Sequence, residues 1–192
     1  MTFGAAACGT LATVDIILAH GASGSAASMR PHVDGLRARG LAARAIDLPV
    51  RKAETAVPAY LAAAGDIAGN VIGGHSYGGR VASLVAASAA PGPAGLVLLA
   101  YPLHRPGAPD RDARTVHWPQ LRCPVLCLSG ESDPFARIDL LRGAIADLLP
   151  DAELVTWPHL GHSLAPVLDA VLDRVAAFTR SLQAPTGTRP VG

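Results

Sequence analysis

Six short runs of aliphatic and β-branched residues punctuate this chain, and most stretches between them carry apolar residues at three-to-four spacing. Parallel strands cannot be joined by tight turns. They need crossovers of a dozen or more residues, which helices supply. The runs lie at 13–19, 42–47, 70–75, 94–101, 123–129 and 152–157, and the helical patterns at 28–39, 55–67, 77–90, 135–149 and 163–182. The period is clearest in Val81, Leu84, Val85 and Ser88, and again in Leu164, Val167, Leu168, Val171, Leu172 and Val175. The expected fold is α/β, with about six mostly parallel strands flanked by helices. One crossover breaks the alternation. Pro102, Pro106, Pro109 and Pro119, with Gly107, interrupt any helix over 102–119. A loop is expected there, and no cap domain.

The 192 residues suit one domain, half of them apolar and 16% charged, as a compact core requires. An ordered core over about 11–182 is expected, with the tail 183–192 disordered because it has turn residues and no period. Sixteen basic side chains against 15 acidic ones, with no basic block, argue against nucleic acid as a partner. Cys123 and Cys127 fall in one strand run, where four residues span about 13 Å, too far for a disulfide. With Cys8 they make an odd count, which suits free thiols in a reducing compartment. The first 13 residues lack the positive segment of a signal peptide, and no run reaches the ~18 apolar residues of a membrane helix. A cytoplasmic location without membrane contact is expected; the oligomeric state is left open.

The chemistry concentrates in Gly74-His75-Ser76-Tyr77-Gly78, a G-x-S-x-G sequence between the run 70–75 and the helical pattern that follows. A serine on a sharp strand-to-helix turn is exposed at the top of a sheet, and glycines on both sides let the chain pass itself. A phosphate-binding loop is excluded, because G-x-x-x-x-G-K-[ST] is absent. A serine hydroxyl needs a positioned base to become nucleophilic. Of seven histidines, His162 follows the last strand run and opens the last helix, with His159 as the second candidate. The acid that would orient the imidazole is Asp133, after the run 123–129, with Glu131 the alternative and helix capping the competing role.

The order Ser76, Asp133, His162 is that of α/β hydrolases. Oxyanion donors are expected from the backbone amides of Tyr77 and of Ala22, or else Ser23, in the glycine-rich loop 20–24 after the first strand. Tyr101 and His104 are candidates for lining a substrate pocket, against simple packing and solvation. Arg80, one turn past the serine, could anchor a substrate carboxylate or form a structural ion pair. Neither a metal-ligand spacing nor H-E-x-x-H occurs, so no metal and no cofactor are expected.

The segments HGASGS, GGHSYGGRVAS, YPLHRPGAPDRDART, GESDPF and GHS together resemble the compact dienelactone-hydrolase-related α/β hydrolases over roughly residues 14–180. The resemblance is strongest to the branch holding a testis-expressed hydrolase-like protein and a subunit of a histone acetyltransferase complex, to which YPLH and DPF are the more specific segments. It implies an α/β-hydrolase fold, a triad at Ser76, Asp133 and His162, and esterase chemistry. Dienelactone hydrolases proper use a cysteine where this chain has Ser76, and dehalogenases and epoxide hydrolases of the same fold use an aspartate. The expected activity is cleavage of a small ester or thioester through an acyl-enzyme. The alternatives are a non-catalytic interaction module, and an acyltransferase or peptidase using the same three residues.

Overall fold

The computed structural model describes residues 14–109 and 112–183. Cys8, the N-terminal stretch and residues 184–192 of the expected disordered tail lie outside these; Gln183 is the last residue of a helix. Six strands form one sheet: β1 (Asp15–Ala19), β2 (Ala42–Ile46), β3 (Val71–His75), β4 (Gly95–Leu99), β5 (Val125–Gly130) and β6 (Glu153–Trp157). Their order is β2-β1-β3-β4-β5-β6, and every pairing is parallel. The helices are α1 (Arg30–Ala38), α2 (Ala53–Ala64), α3 (Tyr77–Ser88), the single turn α4 (Asp112–Thr115), α5 (Ile138–Leu148) and α6 (Leu168–Gln183).

Successive strand residues point to opposite faces, and here both faces are buried. Ile16, Leu18, Val71, Val97, Leu99, Leu126 and Leu128 pack with Val33 and Leu36 of α1 and Val171, Leu172 and Val175 of α6. Ile17, Ile72, Leu96, Leu98 and Cys127 pack on the other face with residues of α2, α3 and α5. Apolar runs without polar alternation therefore mark the central strands. Among the described residues there is no cap domain, and no helix is long and apolar enough to cross a membrane. Cys123 and Cys127 are free thiols, with Cys127 buried in β5.

Several boundaries differ from expectation: helix α2 ends at Ala64 and not at 67, α6 begins at Leu168 after a 3₁₀ turn over Ala165–Val167 and not at 163, and two further differences have a visible cause. The run 94–101 stops as a strand at Leu99, because Ala100 takes a left-handed φ of 49° and turns the chain away. Helix α5 begins at Ile138 and not at 135, because residues 131–137 fold as turns: the Ala136 amide donates to the Asp133 carbonyl, and the Arg137 amide to His104 Nε2. The proline-rich crossover also holds more than a loop. It contains α4 and a 3₁₀ turn, Trp118–Gln120, that seats the Trp118 ring fully in the core against Tyr101, with centroids 5.2 Å apart.

Candidate active site

The strand order reverses direction between β1 and β3, since the chain leaves β1 toward β2 and leaves β3 toward β4. The carboxyl ends of strands at such a switch point border a natural crevice. Ser76 follows β3 and the loop 20–24 follows β1, so both face that crevice. Ser76 sits at φ 50°, ψ −112°, a conformation that costs a non-glycine residue about 1–3 kcal/mol. The turn is held by the Ser76 amide, which donates to the Leu99 carbonyl at 2.8 Å, and by α3, where the Arg80 amide donates to the Ser76 carbonyl at 3.0 Å. A Cβ on Gly74 or on Gly78 would lie 2.5 Å from the Ala19 carbonyl oxygen, which is why the flanking positions lack side chains.

Three elements converge on the serine. His162, in the turn after β6, places Nε2 at 2.8 Å from Ser76 Oγ and Nδ1 at 2.7 Å from Asp133 Oδ2. The Asp133 side chain is fully buried, and its Oδ1 accepts the Phe135 amide at 2.8 Å. That bond closes a turn just after β5 and does not cap α5, whose N-terminal flank is Arg137. The structure thus brings Ser76, His162 and Asp133 together in one hydrogen-bonded chain. It does not bring in His159, which is exposed at φ 59°, or Glu131, whose Oε1 accepts from Thr156 Oγ1 and Arg142 Nη2. Phe135 packs against the His162 ring, with centroids 4.5 Å apart and planes tilted by 41°. His75 donates from Nε2 to the His162 carbonyl at 3.3 Å and so ties the elbow to the histidine loop.

Ala22, Ser76 and Tyr77 line one cleft of about 410 Å³, while Ser23 lines a neighbouring cavity of about 320 Å³. The loop bearing Ala22 is fixed by buried His20, which donates from Nδ1 to the Gly21 carbonyl and accepts the Leu48 amide at Nε2. Tyr77 donates its hydroxyl proton to the Pro49 carbonyl and accepts the Arg51 amide, pinning the segment that forms one wall.

Tyr101 and His104, expected to line a pocket, do not reach the cleft. Both are buried: the Tyr101 hydroxyl donates to the Arg114 carbonyl at 2.6 Å, and burial pushes its pKa up to about 12. His104 donates from Nδ1 to the Arg105 carbonyl and accepts the Arg137 amide at Nε2. They brace the crossover from beneath. The residues that do line the cleft there, Arg105, Arg114 and Phe135, carry no spacing signal that singles them out from sequence. Arg80 forms the structural ion pair, to Glu54, and also lines the cleft. No group of three potential metal ligands occurs among the described residues.

Behind Arg80, the Ser83 hydroxyl donates to the Arg80 carbonyl at 2.8 Å and therefore accepts from His117 Nε2, also at 2.8 Å. Burial, then the Arg80 charge, lowers the His117 pKa from its ordinary 6.5 to about 4. The unfolded chain thus binds this proton before the folded chain does, so stability falls as pH drops from 6.5 to 4. With the ring half-solvated, this is on the order of 1 kcal/mol. Urea unfolding across that window should show wild type losing about 1 kcal/mol more than His117→Gln. Equal losses would contradict the assignment.

A family model described as alpha/beta hydrolase domain matches residues 12–183. The chain belongs to that family. Ferulic acid-bound Est1E from Butyrivibrio proteoclasticus superposes with TM-score 0.75 at 18% identity, covering 92% of each chain. A pyrethroid hydrolase from Sphingobium faniae gives TM-score 0.67 at 19% identity, covering 88% of this chain and 98% of its own. A dienelactone hydrolase from Anabaena variabilis gives TM-score 0.67 at 22% identity, covering 88% and 87% respectively. These likenesses show the fold. No curated protein matches the chain.

Proposed function

We propose that this α/β hydrolase is a serine hydrolase that cleaves a small ester or thioester through an acyl-enzyme. The observation that carries the reading is the hydrogen-bonded chain from buried Asp133 through His162 to a serine held at positive φ. Ser76 Oγ attacks the carbonyl carbon as its proton passes to His162 Nε2, and the carbonyl π electrons move onto oxygen. The amides of Tyr77 and Ala22 hold that oxyanion. Its collapse breaks the bond to the leaving group, which takes the proton from His162. Water then gives a proton to His162, attacks the acyl-enzyme and releases the acid, with Ser76 reprotonated. Asp133 keeps the imidazole oriented and stabilises its charged form throughout.

The names of the solved relatives, an Est1E with ferulic acid bound and two hydrolases, agree with ester chemistry. The narrower likeness to the testis-expressed and acetyltransferase-subunit branch rests on the YPLH and DPF segments. A fluorophosphonate probe should label the protein, with the adduct mapping to Ser76 by peptide mass spectrometry, because only an activated serine attacks such electrophiles. A protein that stays unlabelled, or is labelled elsewhere, would favour the non-catalytic module.

A further inference from the structure

We propose that the cleft beside Ser76 selects an ester carrying a carboxylate a few bonds from the scissile carbonyl, held by Arg80 and Arg114 with Arg51, Lys52 and Arg105 around it. The proposal rests on the acyl-enzyme reading above and names the substrate class for that site. The chain has a formal net charge of only +1, yet five of its 16 basic side chains line this single cleft. Among the described lining residues Glu54 is the sole acid, and its Oε1 is already engaged by Arg80 Nη2. A cleft walled by cations binds methylenes poorly. It binds an anion well, because concave walls exclude water and strengthen the attraction.

The guanidinium of Arg80 is the best-placed member. Its amide bonds the Ser76 carbonyl, so it stands one helical turn, about 6 Å, beyond the serine. Helical side chains lean back toward the N-terminus, which carries Arg80 toward the reacting carbonyl. Its Nε is buried and has no hydrogen-bond partner. Glu54 engages only Nη2, so the partly exposed guanidinium keeps donors for a second carboxylate in the cleft.

Arg114 also lines the cleft and is anchored there, donating from Nη1 to the Pro102 carbonyl while its own carbonyl accepts the Tyr101 hydroxyl. Burial, then the nearby positive charges of Arg80 and Arg105, lowers its pKa. These cations therefore feel one another, and a bound anion relieves that repulsion. Arg51 and Lys52 complete the ring from the segment that Tyr77 pins.

The test compares matched esters. On the acyl side, mono-4-nitrophenyl glutarate is set against its methyl ester, reading nitrophenolate release above the spontaneous rate. On the alcohol side, 3-acetoxypropionate is set against its methyl ester, reading acetate release. The expected result is a kcat/KM preference of about tenfold or more for the anionic member in at least one arm. It should fall severalfold between about 20 mM and about 500 mM salt. In Arg80→Gln and Arg114→Gln the preference should shrink toward unity, while Arg174→Gln on the outer helix α6 keeps it. The preference is a ratio within one protein, so partial loss of folded enzyme does not mimic the effect. Turnover of the neutral esters without an anionic preference in either arm overturns the proposal alone. Absence of turnover on all four esters overturns the acyl-enzyme reading and the proposal with it.

Discussion

Asp133→Asn should lower kcat on a small ester by about 10³- to 10⁴-fold with little change in KM. The direction follows from the two bonds the carboxylate makes. Oδ2 accepts from His162 Nδ1, which keeps the ring proton on that side and leaves Nε2 free to take the serine proton. Oδ1 accepts the Phe135 amide. An asparagine can satisfy that amide only with its oxygen, so its NH₂ group must turn toward His162. A donor at that place forces the imidazole proton onto Nε2, and the base then points a proton at Ser76. Substrate binding does not use that proton, so the loss falls on kcat. Glu131→Gln should change little, because that side chain answers to Arg142 and Thr156. A large loss in Glu131→Gln with a small one in Asp133→Asn would show that the acid is misassigned.

The parts of this molecule legible in sequence are those whose causes are local. The central strands appear as short aliphatic runs, because both of their faces are buried and the pattern need not alternate, whereas the edge strands β2 and β6 are only partly buried and carry Arg44 and Glu153. The meeting of Ser76, Asp133 and His162 was legible for a related reason: each lies within a few residues after a strand, and parallel strands deliver their following loops to one edge. The missed parts depend on distant groups. Tyr101 and His104 have polar tips and sit beside the expected pocket in sequence, yet the carbonyls of Arg114 and Arg105 and the Arg137 amide capture those tips within the core. Trp118 reads as one residue of a proline-broken loop until packing draws it in, where burying so large an apolar surface outweighs the irregular backbone around it. The cationic wall is assembled from 51–52, 80, 105 and 114, and no window of sequence contains it.

Gly78→Ala is expected to destabilise the protein by more than about 4 kcal/mol, or to prevent its accumulation as folded protein, whereas Gly161→Ala should cost less than about 1 kcal/mol. Both glycines sit in the motifs that define the site, and sequence alone gives no reason to separate them. The structure does. A Cβ on Gly78 would lie 2.5 Å from the Ala19 carbonyl oxygen, 2.6 Å from its carbon and 2.7 Å from the His20 carbonyl oxygen. All three are backbone atoms at the end of β1, so no side chain can rotate away. Relief requires α3 to lift from the sheet or β1 to bend, and β1 is held by parallel pairing to β2 on one side and β3 on the other. The same shift would drag the loop 20–24 away from Ser76, so any folded Gly78→Ala protein should also lose the placement of Ala22 beside Ser76 and, on the proposed mechanism, most of its rate. A Cβ on Gly161 meets no heavy atom within 4 Å, and its φ lies outside the left-handed region. Urea unfolding of both variants decides the matter: comparable stability for the two would mean that the close approach of α3 to the end of β1 is not what shapes the elbow.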